Sequence, residues 1–138
     1  MSEDKQKLDK RHSPRLDLNP SSKLLSKIMP WHVGLAILEP IERLFGSPKR
    51  LVRPYAKNGM VVADLGCGRG FYTLALAELV GQGGKVYAVD LDKQNIRAVE
   101  KKANKGGHGN IEAHASSASD LSFIKDKSVD FILANGLL

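Results

Sequence analysis

VVADLGCGRGFYTLAL, residues 61–76, decides how this chain is read. Two valines open an apolar run, Asp64 interrupts it, glycines stand at Gly66, Gly68 and Gly70, and the chain becomes apolar again with a different period. A short β-branched run is the pattern of a strand buried on both faces, whereas the dense Leu74, Ala75, Leu76, Ala77 and Leu79 suit a buried helix. The glycines between them allow a sharp turn and remove the side chains that would keep a ligand from the main chain. The helix that starts near Gly70 points its positive dipole end at the same place.

Working outward, "KVYAVD" reads as a second strand and Asp92 as the cap of a helix whose stripe is Ile96, Val99 and Ala103. The glycines of "KGGHGN" end that helix. "NIEAHA" is a weaker strand, followed by a polar loop with one helical turn around residues 120–123, and "SVDFILAN" is a last strand. Strands alternating with helices predict an α/β fold: a Rossmann-like parallel sheet with right-handed crossovers and helices on both faces, incomplete at about four strands. Upstream, residues 1–22 are polar and carry Pro14 and Pro20, the composition of a disordered arm. Two apolar clusters (Leu24, Leu25, Ile28; then Leu35, Leu38, Ile41, Leu44, Phe45), broken at Pro30 and Gly34, predict two short N-terminal helices. "SPKRLVRPYAKNG" reads as a basic connection. The expected division is thus an arm over 1–22, a helical segment and connection over 23–58, and a partial sheet domain over 59–138.

The composition sets limits on function. With 138 residues, 42% hydrophobic, the chain suits one domain, and 21 Lys plus Arg against 15 Asp plus Glu give a net charge of +6 that tolerates an anionic partner. The single cysteine, Cys67, excludes an internal disulfide and suits a cytoplasmic location. Cys67 has no histidine beside it to activate it, so it reads as a small residue in a tight loop and not as a nucleophile. No window approaches the roughly 18 consecutive apolar residues of a membrane span, so no membrane is expected. His12, His32, His108 and His114 are dispersed and no metal is expected. The run Arg43, Lys49, Arg50, Arg53 and Lys57, with Tyr55 in it, leaves open a nucleic-acid partner beside the ordinary reading as a solvated connection. Trp31, in the "MPWH" turn, lies over the ligand pocket or anchors the N-terminal helices.

Ligands of open parallel sheets bind beyond the carboxyl ends of the strands, which here means the loop at 64–70 and Asp90 at the end of the second strand. A carboxylate at Asp90 accepts hydrogen bonds from both hydroxyls of a ribose, so a nucleoside is the inferred ligand. Dinucleotide folds space their glycines as G-x-G-x-x-G; here the spacing is G-x-G-x-G. Asp64, two positions before the first glycine, repels a pyrophosphate and favours a cation. S-adenosylmethionine, with a sulfonium and an ammonium, is such a ligand.

"VVADLGCGRG" together with "VYAVDLD" resembles the first two motifs of the class I S-adenosylmethionine-dependent methyltransferases, a resemblance that covers roughly residues 60–138. It implies that Asp64 and the loop at Gly66, Cys67, Gly68 and Gly70 surround the methionine portion, that Asp90 holds the ribose and that Leu91 packs on the adenine. Where the family has an acid before a small residue after its third strand, contacting the adenine amino group, this chain has Ser117 and Ala118, with Asp120 close enough to substitute. Asn135 matches the position that faces the transferable methyl group, and reads equally as a strand-end turn residue. The implied activity is methyl transfer to a small-molecule acceptor. RNA methyl transfer and a non-catalytic or vestigial nucleoside-binding module are the alternatives, and a nicotinamide-dependent oxidoreductase is disfavoured by the glycine spacing. Members of this family have more strands than are visible here, so the chain is expected to be a fragment, a truncated product, or half of a homo-oligomer completed through an exposed fourth strand.

Overall fold

The computed structural model describes residues 34–38 and 47–135. Its elements are β1 (Gly34–Leu38), α1 (Pro48–Val52), β2 (Val61–Leu65), α2 (Phe71–Val80), β3 (Lys85–Asp90), α3 (Lys93–Gly106), β4 (Ile111–Ala115) and β5 (Phe131–Asn135). The strands form one sheet in the order β1-β5-β2-β3-β4, and every pairing is parallel. This is the Rossmann-like arrangement that the alternating pattern predicts, and β2 to β5 are the four strands that the sequence displays.

Each central element forms for a local reason. Val61 and Val62 begin β2, and its last four residues are buried, which requires a run without alternation. Asp92 caps α3, its side chain accepting from Gln94 N–H at 2.8 Å. Gly107, left-handed at φ 69°, stops the helix by donating to the carbonyls of Ala103 and Asn104. The end of α2 is held from a distance: the Asn110 amide donates to Ala77 O at 2.9 Å and Gly81 O at 2.8 Å, satisfying helix-end carbonyls from the start of β4.

Two layers cover the sheet. On one face α2 packs Tyr72, Ala75, Leu76 and Val80 against Val62, Val86 and Leu133, while α3 sets Ile96 and Val99 against Ala88 and Cys67. The other face carries Ala63, Leu65, Tyr87, Val89 and Ile132 under the turn-rich segment before β5, which contributes Leu121, Ile124 and Val129. Full burial of a side chain such as Leu76 contributes about 1.5–3 kcal/mol, so these clusters fix where the strand ends lie. No helix among the described residues is long and apolar enough to cross a membrane.

Four expectations are corrected, and others fall outside the described residues. Gly34–Leu38 is not part of a helix; it is β1, in register with β5 from Gly34↔Phe131 to Leu38↔Asn135. A five-residue apolar run fits either state, and the open edge of β5 supplies the hydrogen-bond partners that select the strand. For the same reason the last strand of the chain is not an exposed edge, since β5 lies between β1 and β2 and the proposed oligomer contact through it is lost. The basic connection contains the short helix α1, with Ser47 as its cap and Pro48 in its first turn. Around 120–123 the chain makes turns closed by Asp120 N–H to Ser117 O and Ile124 N–H to Leu121 O, without a helical segment. The arm over 1–22, the first N-terminal helix, Trp31 and the cluster from Ile41 to Phe45 lie outside the described residues.

Candidate functional site

The strand registers place four strand ends on one rung. Leu65 is level with Ala134 and Val89, and Val89 with His114. One residue further stand Asn135 on β5, Asp90 on β3 and Ala115 on β4, with Gly66 just past the end of β2. The chain builds outward from β2 through β3 to β4, then returns past β2 to β5. The order therefore reverses between β2 and β5, and the crevice above them is the switch point where such sheets bind ligands.

The loop at 66–70 turns its amides inward. Gly66 N–H and Cys67 N–H both donate to Val89 O, at 2.8 and 3.0 Å, Gly70 N–H donates to Cys67 O at 3.1 Å, and Gly68 N–H donates to Asp90 Oδ2 at 2.9 Å. A phosphate cradle needs such amides directed at the ligand, and these four are directed at protein acceptors instead. At Gly68, φ is +56° and an added Cβ would meet nothing within 4 Å; the backbone borders open space there. At Gly70, φ is +93° and a Cβ would come within 3.2 Å of Val99 Cγ2, so this glycine lets the loop close onto α3.

Two carboxylates flank this loop. Asp64 is 1% exposed and accepts from Thr73 Oγ1 at 2.7 Å, on the side of the sheet covered by α2. It stands close enough to Cys67 in the loop for its charge to act on that thiol. Asp90 uses both oxygens: Oδ2 takes the Gly68 amide and Oδ1 takes Asp92 N–H at 2.8 Å. Each carboxylate oxygen has a second lone pair, which leaves Asp90 able to accept from ligand hydroxyls as well. Cys67 is buried, and burial, with the Asp64 and Asp90 charges added, pushes its thiol far above the ordinary range. It stays protonated and inert. Its Sγ donates to Gly68 O at 3.5 Å.

The remaining candidates divide. Leu91 follows Asp90 and is 70% exposed, a large apolar side chain left open beside the crevice. Asn135 is 2% exposed and its Oδ1 has no hydrogen-bond partner among the described residues, a buried polar atom at the strand end level with Asp90. Ser116 N–H donates to Asp90 O at 3.0 Å and so brings the next residues alongside the site. Ser117, however, is folded into a local turn: its Oγ accepts Ser119 N–H at 3.1 Å and lies 2.7 Å from Ser119 Oγ. Ala118 packs against the Leu121 and Ile124 cluster, and Asp120 Oδ1 accepts Ser122 N–H at 3.3 Å. In the basic run, Lys49 is paired with Glu78 at 2.8 Å, in the last turns of α2 and thus at the opposite end of that helix from the glycine loop.

Thr73 was missed by the sequence reading. It is fully buried in the first turns of α2, and the signal was there: a short aliphatic hydroxyl in "FYTLALAELV", three residues after the last glycine. Arrangements of this kind suit a ligand that is a nucleoside at one end and a cation at the other. The glycine at 68 leaves the room, Asp90 offers acceptors to hydroxyls, and Asp64 supplies negative charge near a loop in which the amides of Gly66, Cys67, Gly68 and Gly70 are already bonded to protein acceptors.

Comparison with known proteins agrees. The family model described as "Methyltransferase domain" matches residues 56–138. A demethylmenaquinone methyltransferase of Bacillus velezensis is 37% identical over 76 residues, 55% of this chain and 32% of that protein. A nocamycin O-methyltransferase of Saccharothrix syringae is 34% identical over 90 residues, 65% of this chain and 30% of that one. Among solved structures, a SAM-dependent methyltransferase from Aquifex aeolicus matches with a TM-score of 0.61 and 34% identity, over 70% of this chain and 51% of its own. The chain spans about a third of the length of the curated relatives it matches, at 32% and 34% for two demethylmenaquinone methyltransferases.

Proposed function

Since the chain belongs to the methyltransferase-domain family, we propose that it binds S-adenosylmethionine in the crevice above β2, β3 and β5 and transfers a methyl group to a small-molecule acceptor. The observation that carries this reading is the combination of a loop whose amides are bonded to protein acceptors with Asp64 near it and Asp90 beside it, which favours a cationic nucleoside over a pyrophosphate. S-adenosylmethionine supplies a methyl group on a positive sulfur, open to attack by an oxygen, nitrogen, sulfur or carbon nucleophile.

The residues have separate tasks in this proposal. Asp90 accepts the ribose hydroxyls, Leu91 packs on the adenine, and Gly68 gives the ligand access to the loop. Asp64 holds negative potential under the methionine portion. Asn135, with its unpartnered Oδ1 at the end of β5, orients the acceptor's nucleophilic group by accepting a hydrogen bond from it. Such chemistry gains most of its rate from alignment of the reacting atoms, so it needs no strongly basic side chain. Ser117, whose hydroxyl is tied to Ser119, marks the adenine end as the less specified part of the site. Relatives whose names state an acceptor, a demethylmenaquinone and a nocamycin enzyme among them, support a small organic molecule as the acceptor class.

The test is a calorimetric titration of the chain with S-adenosylmethionine, run beside NADH and beside Asp90→Ala. Micromolar binding that the substitution abolishes, with no response to NADH, is the expected result. Tight NADH binding would sink the proposal.

A further inference from the structure

Thr73 belongs to no family motif quoted above, yet its hydroxyl donates a hydrogen bond to Asp64, 2.7 Å from Oγ1 to Oδ2. Both residues are buried, at 0% and 1% exposure. A carboxylate removed from water is costly unless hydrogen bonds replace its hydration, and a hydroxyl donating to an ionised oxygen is among the stronger replacements. The bond also fixes direction, because Thr73 sits on a rigid turn of α2 and its β-branched side chain has few rotamers. Cys67, from the loop, feels both members of this pair and also the Asp90 charge, and the apolar Val99 of α3 packs in the cluster that contains Cys67.

We propose that Thr73 is a positioning residue for cofactor recognition: its hydroxyl holds the Asp64 carboxylate in a fixed direction beside the loop at 66–70, so that the methionine end of the ligand meets a carboxylate fixed in place. This rests on the reading of the crevice as an S-adenosylmethionine site. Thr73 itself touches no ligand. Its effect is confined to ligands that carry the positive charge, which separates it from a residue that only packs the helix.

The experiment compares Thr73→Val, which keeps the shape and removes the hydroxyl, with Thr73→Ser, which keeps the hydroxyl, and with Asp64→Asn and the Thr73→Val/Asp64→Asn pair. Each is titrated with S-adenosylmethionine and with 5′-methylthioadenosine, which keeps adenine, ribose and sulfur but has no charge. Thr73→Val should bind S-adenosylmethionine about tenfold more weakly, the worth of one hydrogen bond to a charged group, and the neutral nucleoside unchanged. Thr73→Ser should restore binding, and the double variant should be no weaker than Asp64→Asn, the sign of two residues acting through one interaction. If Thr73→Val fails to fold, Thr73→Ala read against Thr73→Ser decides the same question. Equal weakening toward both ligands, or wild-type binding by Thr73→Val while Asp64→Asn loses affinity, overturns the role of Thr73 and leaves the site reading standing. Unchanged binding by Asp64→Asn overturns the inference together with the assigned role of Asp64.

Discussion

Replacing Asp90 with alanine should damage the protein before any ligand is added. The carboxylate closes two backbone contacts, to Gly68 N–H at 2.9 Å and Asp92 N–H at 2.8 Å, and so ties the glycine loop to the end of β3 and to the start of α3. Asp90 is only half-buried, so each contact is worth about 1 kcal/mol and their joint loss about 2 kcal/mol. At several degrees per kcal/mol for a domain of this size, the unliganded variant should melt about 10 °C lower. Ribose hydroxyls lose the same acceptor, and two hydrogen bonds to a carboxylate at about 1.5 kcal/mol each make S-adenosylmethionine binding about 100-fold weaker. Scanning calorimetry without ligand, followed by titration, reads both effects. A variant that melts like the wild type and loses only ligand affinity would refute the claim that Asp90 organises the loop; one that melts early and binds normally would refute its place on the ribose.

Other substitutions test the rest of the frame. Gly70→Ala forces a side chain into a left-handed conformation at 3.2 Å from Val99 Cγ2, and should lower stability by about 1–2 kcal/mol in thermal or urea unfolding; a neutral effect would mean that the loop relaxes freely. Asn110→Ala removes the donors to Ala77 O and Gly81 O at the buried end of α2, and should cost about 1–3 kcal/mol, measured by urea unfolding, with no change in ligand affinity. Cys67 should resist iodoacetamide at pH 8 in the native protein and react once urea unfolds it, whereas rapid native alkylation would contradict its burial. Because its thiol is raised in the folded state, the folded chain holds that proton where the unfolded chain, with its ordinary value of 9.0, releases it. Stability should therefore fall as the pH rises above about 9, and Cys67→Ala should flatten that decline in alkaline unfolding curves.

Most of the site was legible because its residues lie close together along the chain. A buried strand, its terminal acid, three alternate glycines and a helix occupy residues 61–80, and an acid at the end of the next strand completes the nucleoside pattern. Local sequence carries this information, since each glycine and each acid sits at a strand end whose position the apolar runs mark. Thr73 showed in the sequence only as a polar residue in an apolar helix. Its partner became evident once α2 was laid across β2.

The sequence by itself determined the alternation of strands and helices, the parallel sheet, and the cluster of Asp64, the glycines and Asp90, because periodicity and local turn chemistry act over a few residues. The tertiary structure alone decided that Gly34–Leu38 is a strand, since an apolar pentapeptide takes the conformation whose hydrogen bonds a neighbour completes, and that neighbour, β5, lies almost a hundred residues away. It alone decided that the amides of Gly66, Cys67 and Gly68 face the carbonyl of Val89 and the carboxylate of Asp90, since the direction of an N–H depends on where the acceptors of the adjoining strand stand.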